Sequence, residues 1–148
     1  ILVWTPFKPT TKTRSKCIPC IIDDRIYVLG GFDGDEILND GEYYDQNTDR
    51  WVPIAPMKKY KHRYAVGVFK GKIYVAGGKC GDEVLDDFEC YDLTKNIWTS
   101  LKNMNIKRYD SLLAVSCGKL FNFGGYDYKN SYNDIEMYDE ETDSWSKR

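Results

Sequence analysis

The chain has 148 residues, 42% hydrophobic and 30% charged, an ordinary composition for a globular protein. A net charge of −2 speaks against a general nucleic-acid binder, and no apolar run is long enough to span a membrane. Five cysteines, odd in number and without a paired pattern, argue against a secreted disulfide framework and for reduced thiols in a cytoplasmic setting.

In chain order the first landmark is Trp4. It lies 47 residues before Trp51, and the same interval leads to Trp98 and Trp145. Ile1-Leu2-Val3 is too short for a secretory signal, and a start on Ile reads as a fragment. Residues 1–7 are expected to be the last strand of a preceding unit, with 1–13 including its linker. Complete units follow at 14–54, 61–101 and 108–148.

Each complete unit opens on a basic residue: Arg14, Lys61 or Arg108. A first strand follows, such as Tyr64 to Phe69 or Leu112 to Ser116, then a tight turn with Gly71-Lys72 or Gly118-Lys119. The second strands are 26–29, 73–76 and 120–123. Their short apolar runs fit strands buried on both faces. Each ends in Gly-Gly (Gly30-Gly31, Gly77-Gly78, Gly124-Gly125), where backbones approach closely or take positive φ. The third strands carry Glu42-Tyr43-Tyr44, Glu89-Cys90-Tyr91 and Glu136-Met137-Tyr138. An Asp and a polar turn follow, and the fourth strand begins at the Trp.

Four strands per unit at a fixed period predict an all-β propeller, each unit being one blade. The Gly-His and Trp-Asp pairs of WD repeats do not recur. Gly-Gly, then Tyr-Asp, then Trp at this spacing resembles the kelch repeat over essentially the whole chain. Lys61 stands where the repeat usually has Arg, and Asn122-Phe123 replaces an aliphatic pair. Kelch propellers close with roughly five to seven blades, so three blades make about half a ring. Either the chain is cut from a longer protein or a second chain completes the ring.

The connections between blades hold 11 of the 21 basic residues, concentrated where kelch propellers also present the loops after Gly-Gly. Such a rim attracts acidic partners. By resemblance, the blade-opening basic residue and the residue after Gly-Gly contact ligand. The candidates are therefore Arg14, Lys61, Arg108, Phe32, Lys79 and Tyr126, with Ser15, His62 and Tyr109 on the same face. The Trp and Tyr-Asp residues recur in every unit and read as structure. The regular Glu-x-Tyr-Asp is most similar to the BTB–kelch group. That similarity implies a propeller that recruits a protein or peptide substrate to a cullin-type ubiquitin ligase, through BTB and BACK domains absent from this chain. The alternative is an actin-binding, cytoskeleton-associated kelch protein.

Catalysis finds little support: His62 is the single histidine, and no nucleophile motif or phosphate-binding glycine loop is present. Cys17-Ile18-Pro19-Cys20 has metal or redox spacing but falls in a predicted strand, where positions three apart face opposite sides. No metal or cofactor is expected. Cys80 beside Lys79 is a candidate reactive thiol, since a nearby cation favours the thiolate.

Overall fold

The computed structural model describes residues 3, 4 and 6–148. Among the described residues every regular element is a strand. Blade 1 contains β1 (Cys20–Ile22), β2 (Arg25–Phe32), β3 (Ile37–Asp45) and β4 (Arg50–Ile54), paired in that order. Blade 2 follows with β5 (Ala65–Phe69), β6 (Lys72–Ala76), a separate hairpin β7 (Lys79–Cys80) and β8 (Glu83–Val84), then β9 (Phe88–Asp92) and β10 (Ile97–Leu101). Its sheet runs β5-β6-β9-β10. Blade 3 is β11 (Leu112–Ser116), β12 (Lys119–Phe123), β13 (Ile135–Asp139) and β14 (Ser144–Lys147), again in order. Neighbours within each blade are antiparallel. The first strands β1, β5 and β11 of successive blades lie side by side.

Two-residue turns set the register of each first hairpin. Phe69 pairs with Lys72 and Ser116 with Lys119, so the turn residues are Lys70-Gly71 and Cys117-Gly118, one position earlier than expected. Both residues of each pair have positive φ, the requirement of a type I′ hairpin turn. Blade 1 uses Asp23-Asp24 at the same place, also at positive φ. The glycine pairs act differently. In blades 2 and 3 the second strand stops before them, but β2 runs through Gly30-Gly31 with a register shift between Leu29 and Gly31. At Gly78 (φ +98°) a Cβ would stand 2.8 Å from the His62 carbonyl oxygen, so a side chain is excluded on both counts.

The core lies between blades rather than within one. Blade 2 alternates strictly: Ile73, Val75, Tyr91 and Trp98 pack against blade 1, while Tyr74, Ala76, Phe88 and Cys90 pack against blade 3. Burial on both faces therefore holds for β6. It fails for β2 and β12, where among the described residues one side of the sheet packs against no other blade and burial alternates. Asn122, in the buried half of β12, donates to Met104 Sδ at 3.2 Å and leaves its own carbonyl oxygen unpartnered.

The repeated Trp, Tyr and Asp residues join blades and turns. Trp98 Nε1 donates to the Ala55 carbonyl at 2.8 Å, and Trp145 Nε1 to that of Lys102 at 2.9 Å. Trp51 makes the same bond to Lys8 at 2.9 Å, while Phe7 packs on Tyr44 with centroids 4.4 Å apart. The N-terminal segment thus docks on blade 1 as an interblade connection docks on the next blade. The strand expected over 1–7 falls partly outside the described residues, and residues 3, 4, 6 and 7 pair with no strand. Asp45, Asp92 and Asp139 accept backbone N–H groups of the turns that follow them.

Candidate functional site

The blade-opening cations are not on the surface. Lys61 and Arg108 are 0% exposed, and the Arg14 side chain is 3% exposed. Each sits on two carboxylates from its own third strand or the segment leading to it. Arg14 bonds Asp40 at 3.0 Å and Glu42 at 3.4 Å, and Arg108 bonds Asp134 at 3.1 Å and Glu136 at 2.9 Å. Lys61 pairs with Asp87, and with Glu89 at 2.9 Å. The arginines reach one group further: Arg14 donates to the Gly30 carbonyl at 2.9 Å and Arg108 to that of Gly124 at 2.7 Å. Burial pushes the Asp40 carboxyl up, but hydrogen bonds from Arg14 and Lys12 more than offset this and hold it below the ordinary range. Arg14, Lys61 and Arg108 are therefore corrected from ligand contacts to blade braces. A buried charge left without its partner costs several kcal/mol, so these cations stay with their carboxylates.

The residues one position further on behave differently. Ser15 forms an isolated bridge with Phe32, His62 with Lys79, and Tyr109 with Tyr126. The structure thus brings the remaining six sequence candidates together in pairs, one pair per blade. Adjacent blades are stitched here as well: Arg63 N donates to Lys16 O at 2.8 Å and Asp110 N to Arg63 O at 2.9 Å. Phe32 lies 6.4 Å from the His62 ring, and Tyr109 lies 5.8 Å from Tyr126 and 5.4 Å from Tyr128.

Cations sit on this aromatic surface. Lys16 Nζ is 4.9 Å from the Phe32 centroid, and Lys79 Nζ is 4.4 Å from Tyr128 and 5.2 Å from Tyr109. The Arg63 guanidinium lies 4.8 Å from Tyr109 and holds Asp110 bidentately, with Nε to Oδ1 at 2.9 Å. Among the described residues, neither Lys16 nor Lys79 has a carboxylate within ion-pair distance. His62 is buried with Nδ1 unpartnered. Burial lowers its pKa, and the charges of Lys16, Lys79 and Arg63 lower it further against a smaller pull from Asp110, so the ring is neutral at pH 7.

A cleft of about 460 Å³ opens where the first strands begin, lined by Lys16, Ile18, Arg63, Tyr64, Ser111 and Leu112 among others. Ser111 is buried and its hydroxyl has no protein partner. Lys16 and Arg63 belong to the eleven basic residues counted in the interblade connections but were not among the nine contact candidates, and Ser111 and Tyr128 were not singled out from sequence. Their signal was available in part, because Lys16, Arg63 and Asp110 are themselves 47 residues apart.

Cys80 loses the support the sequence lent it. Lys79 and Cys80 are successive residues of β7 and face opposite ways, and the residue paired with Cys80 is Glu83. All five cysteines are free thiols. Among the described residues no cluster of three or more His, Cys, Asp or Glu can hold a metal ion.

A family model for the KLHDC2/KLHL20/DRC7 Kelch-repeats domain matches residues 2–109, and one for the Kelch motif matches residues 107–148. The chain belongs to the kelch-repeat family. A search of curated proteins found no match. A solved structure of YjhT superposes with a TM-score of 0.82 at 17% identity, over 95% of this chain and 53% of that one. The chain therefore spans about half of that protein's length, and the likeness concerns the fold. Kelch propellers typically serve as protein-interaction modules.

Proposed function

We propose that the chain is the substrate-recognition propeller of a BTB–kelch type adaptor for a cullin-type ubiquitin ligase. It acts in the cytoplasm, without catalysis of its own. The site is the rim of Lys16, Phe32, His62, Arg63, Lys79, Tyr109 and Tyr126, and the ligand is a short acidic segment of a protein partner. One observation carries this reading: Lys16 and Lys79 rest on aromatic rings with no carboxylate of their own. An incoming carboxylate can pair with either ammonium without displacing an internal ion-pair partner, while the rings supply rigid contact area. The regular repeat, Glu-x-Tyr-Asp included, supports the adaptor assignment by likeness to that group.

An array of acidic peptides probed with the wild type and with Lys16→Ala/Lys79→Ala tests it. Binding weakened by salt and lost in the variant is the expected result. Binding equal in both proteins overturns the assignment of the rim. Co-sedimentation with actin filaments tests the cytoskeletal alternative, which predicts pelleting at micromolar protein.

A further inference from the structure

A second cleft, of about 250 Å³, lies between blades 1 and 2. It is separate from the rim and shares no residue with the cleft there. Blade 1 contributes Arg25, Tyr27 and Tyr43 and blade 2 contributes Tyr91 and Asn96, over an apolar floor that includes Ile54 and Leu93. The three phenol rings are grouped: Tyr27 is 5.3 Å from Tyr43 and 6.4 Å from Tyr91. The Arg25 guanidinium lies 4.8 Å from the Tyr43 centroid.

The hydrogen-bonding inventory of this cleft is one-sided. Asn96 Oδ1 is already occupied, accepting from Ala55 N and from the Tyr91 hydroxyl, both at 2.8 Å. What Asn96 has left to offer is its NH₂ group. Arg25 can only donate, and no carboxylate stands within ion-pair distance of it among the described residues, although Asp23, Asp24 and Asp45 line the cleft on its other side. Tyr27 is 2% exposed, yet its hydroxyl donates no bond to the protein, and neither does that of Tyr43. Arg25 thus donates to the Tyr27 hydroxyl oxygen, while the O–H protons of Tyr27 and Tyr43, the Asn96 NH₂ and the remaining guanidinium N–H groups face one hollow without acceptors. The arrangement is not a property of the repeat. At the equivalent place between blades 2 and 3, Cys90 stands for Tyr43, Lys72 for Arg25 and Glu140 for Leu93. A feature confined to one interface is not explained by the blade architecture.

We propose that this cleft is a second binding site, taking a carboxylate between Arg25 and the Tyr27 and Tyr43 hydroxyls. One guanidinium matches a single negative charge, which favours a carboxylate over a dianionic phosphate. The apolar floor suits the methylene stem that carries it, as in a glutamate side chain or a small free acid.

NMR titration of the full chain with N-acetyl-glutamate amide, and separately with glutarate, tests the assignment. The expected result is saturable shifts of the Asn96 side-chain NH₂ and Arg25 Nε–H signals, with affinity falling about tenfold or more in Arg25→Gln. Arg25 is exposed, so this variant keeps the fold, and its amide spectrum checks that directly. Tighter binding of the glutamate amide identifies a protein segment as the ligand source, and tighter binding of glutarate a free acid; both support the site. Shifts that do not saturate, that are unchanged in Arg25→Gln, or that appear only at Lys16 and Lys79 overturn it.

Discussion

Lys61 and Arg108 hold the same position with different chemistry. Arg108 spans Asp134, Glu136 and the Gly124 carbonyl, leaving only its Nε unpartnered, whereas Lys61 holds two carboxylates, reaches no carbonyl among the described residues and leaves both Asp87 Oδ1 and Glu89 Oε1 without a hydrogen bond. A planar fork does what a single ammonium cannot. Lys61→Arg is therefore expected to stabilise the fold by about 1 kcal/mol, read as a higher thermal midpoint. Arg108→Ala strands the buried Glu136 and leaves Asp134 with Lys147 alone, at 3.6 Å, and should cost about 3 kcal/mol. Asn122 offers a second residue-scale test. Blades 1 and 2 have Val28 and Val75 at its place, and its buried carbonyl oxygen has no partner. Asn122→Val should gain about 1 kcal/mol by removing an unsatisfied acceptor from an apolar interface. A loss of stability would mean that the bond to Met104 outweighs that penalty.

At the scale of elements, the first hairpin of each blade depends on two residues at positive φ. Gly71 and Gly118 fill the second turn position in blades 2 and 3, and Asp24 fills it in blade 1 at φ +57°. Asp24→Gly should stabilise blade 1 by about 0.5 kcal/mol, since the left-handed strain on Asp slightly exceeds the added chain entropy of Gly. Gly78→Ala should destabilise by about 2 kcal/mol or more through the approach to the His62 carbonyl. Denaturant midpoints at unchanged slope would measure both.

At the scale of the whole molecule, the paired acids set the response to pH. Asp40, Asp45, Asp92 and Asp139 all sit below the ordinary carboxylate range, held there mainly by hydrogen bonds that, at Asp40, outweigh burial. Their contribution is complete above the unfolded value near 3.8 and is lost as pH falls through the lower folded values. His62 has the same sign, because burial favours its neutral form: stability should begin to fall as pH drops below about 6.5. Thermal midpoints are thus expected to decline modestly from pH 7 to 5 and steeply below pH 4. A midpoint constant down to pH 3 would contradict the hydrogen bonds assigned to Asp40 and the three turn acids.

Much of this was legible in the chain because a repeat writes each structural demand three times. Gly-Gly, Tyr-Asp and Trp sit at one spacing since every blade must bend, turn and dock alike. The same repetition misled the reading of Arg14, Lys61 and Arg108. A cation recurring in every blade is the mark of a brace, as for the Trp, and its partners recur with it as Asp40-x-Glu42, Asp87-x-Glu89 and Asp134-x-Glu136, but their pairing with the cation appears only in three dimensions. Burial of β2 and β12 was overestimated for a related reason: periodicity describes a blade with two neighbours, and among the described residues only blade 2 has them. The cleft at Arg25 was invisible because it depends on what two blades leave unfilled between them.

The central claim is that partners bind at the rim around His62 while the buried cations brace the blades. His62 is the single histidine, so its ring signals report the rim alone. Adding an acidic peptide from the array should shift those signals saturably and raise the His62 pKa from its lowered value, as negative charge arrives among Lys16, Arg63 and Lys79. Tight peptide binding that leaves the His62 titration unchanged would place the partner elsewhere on the propeller and contradict the claim.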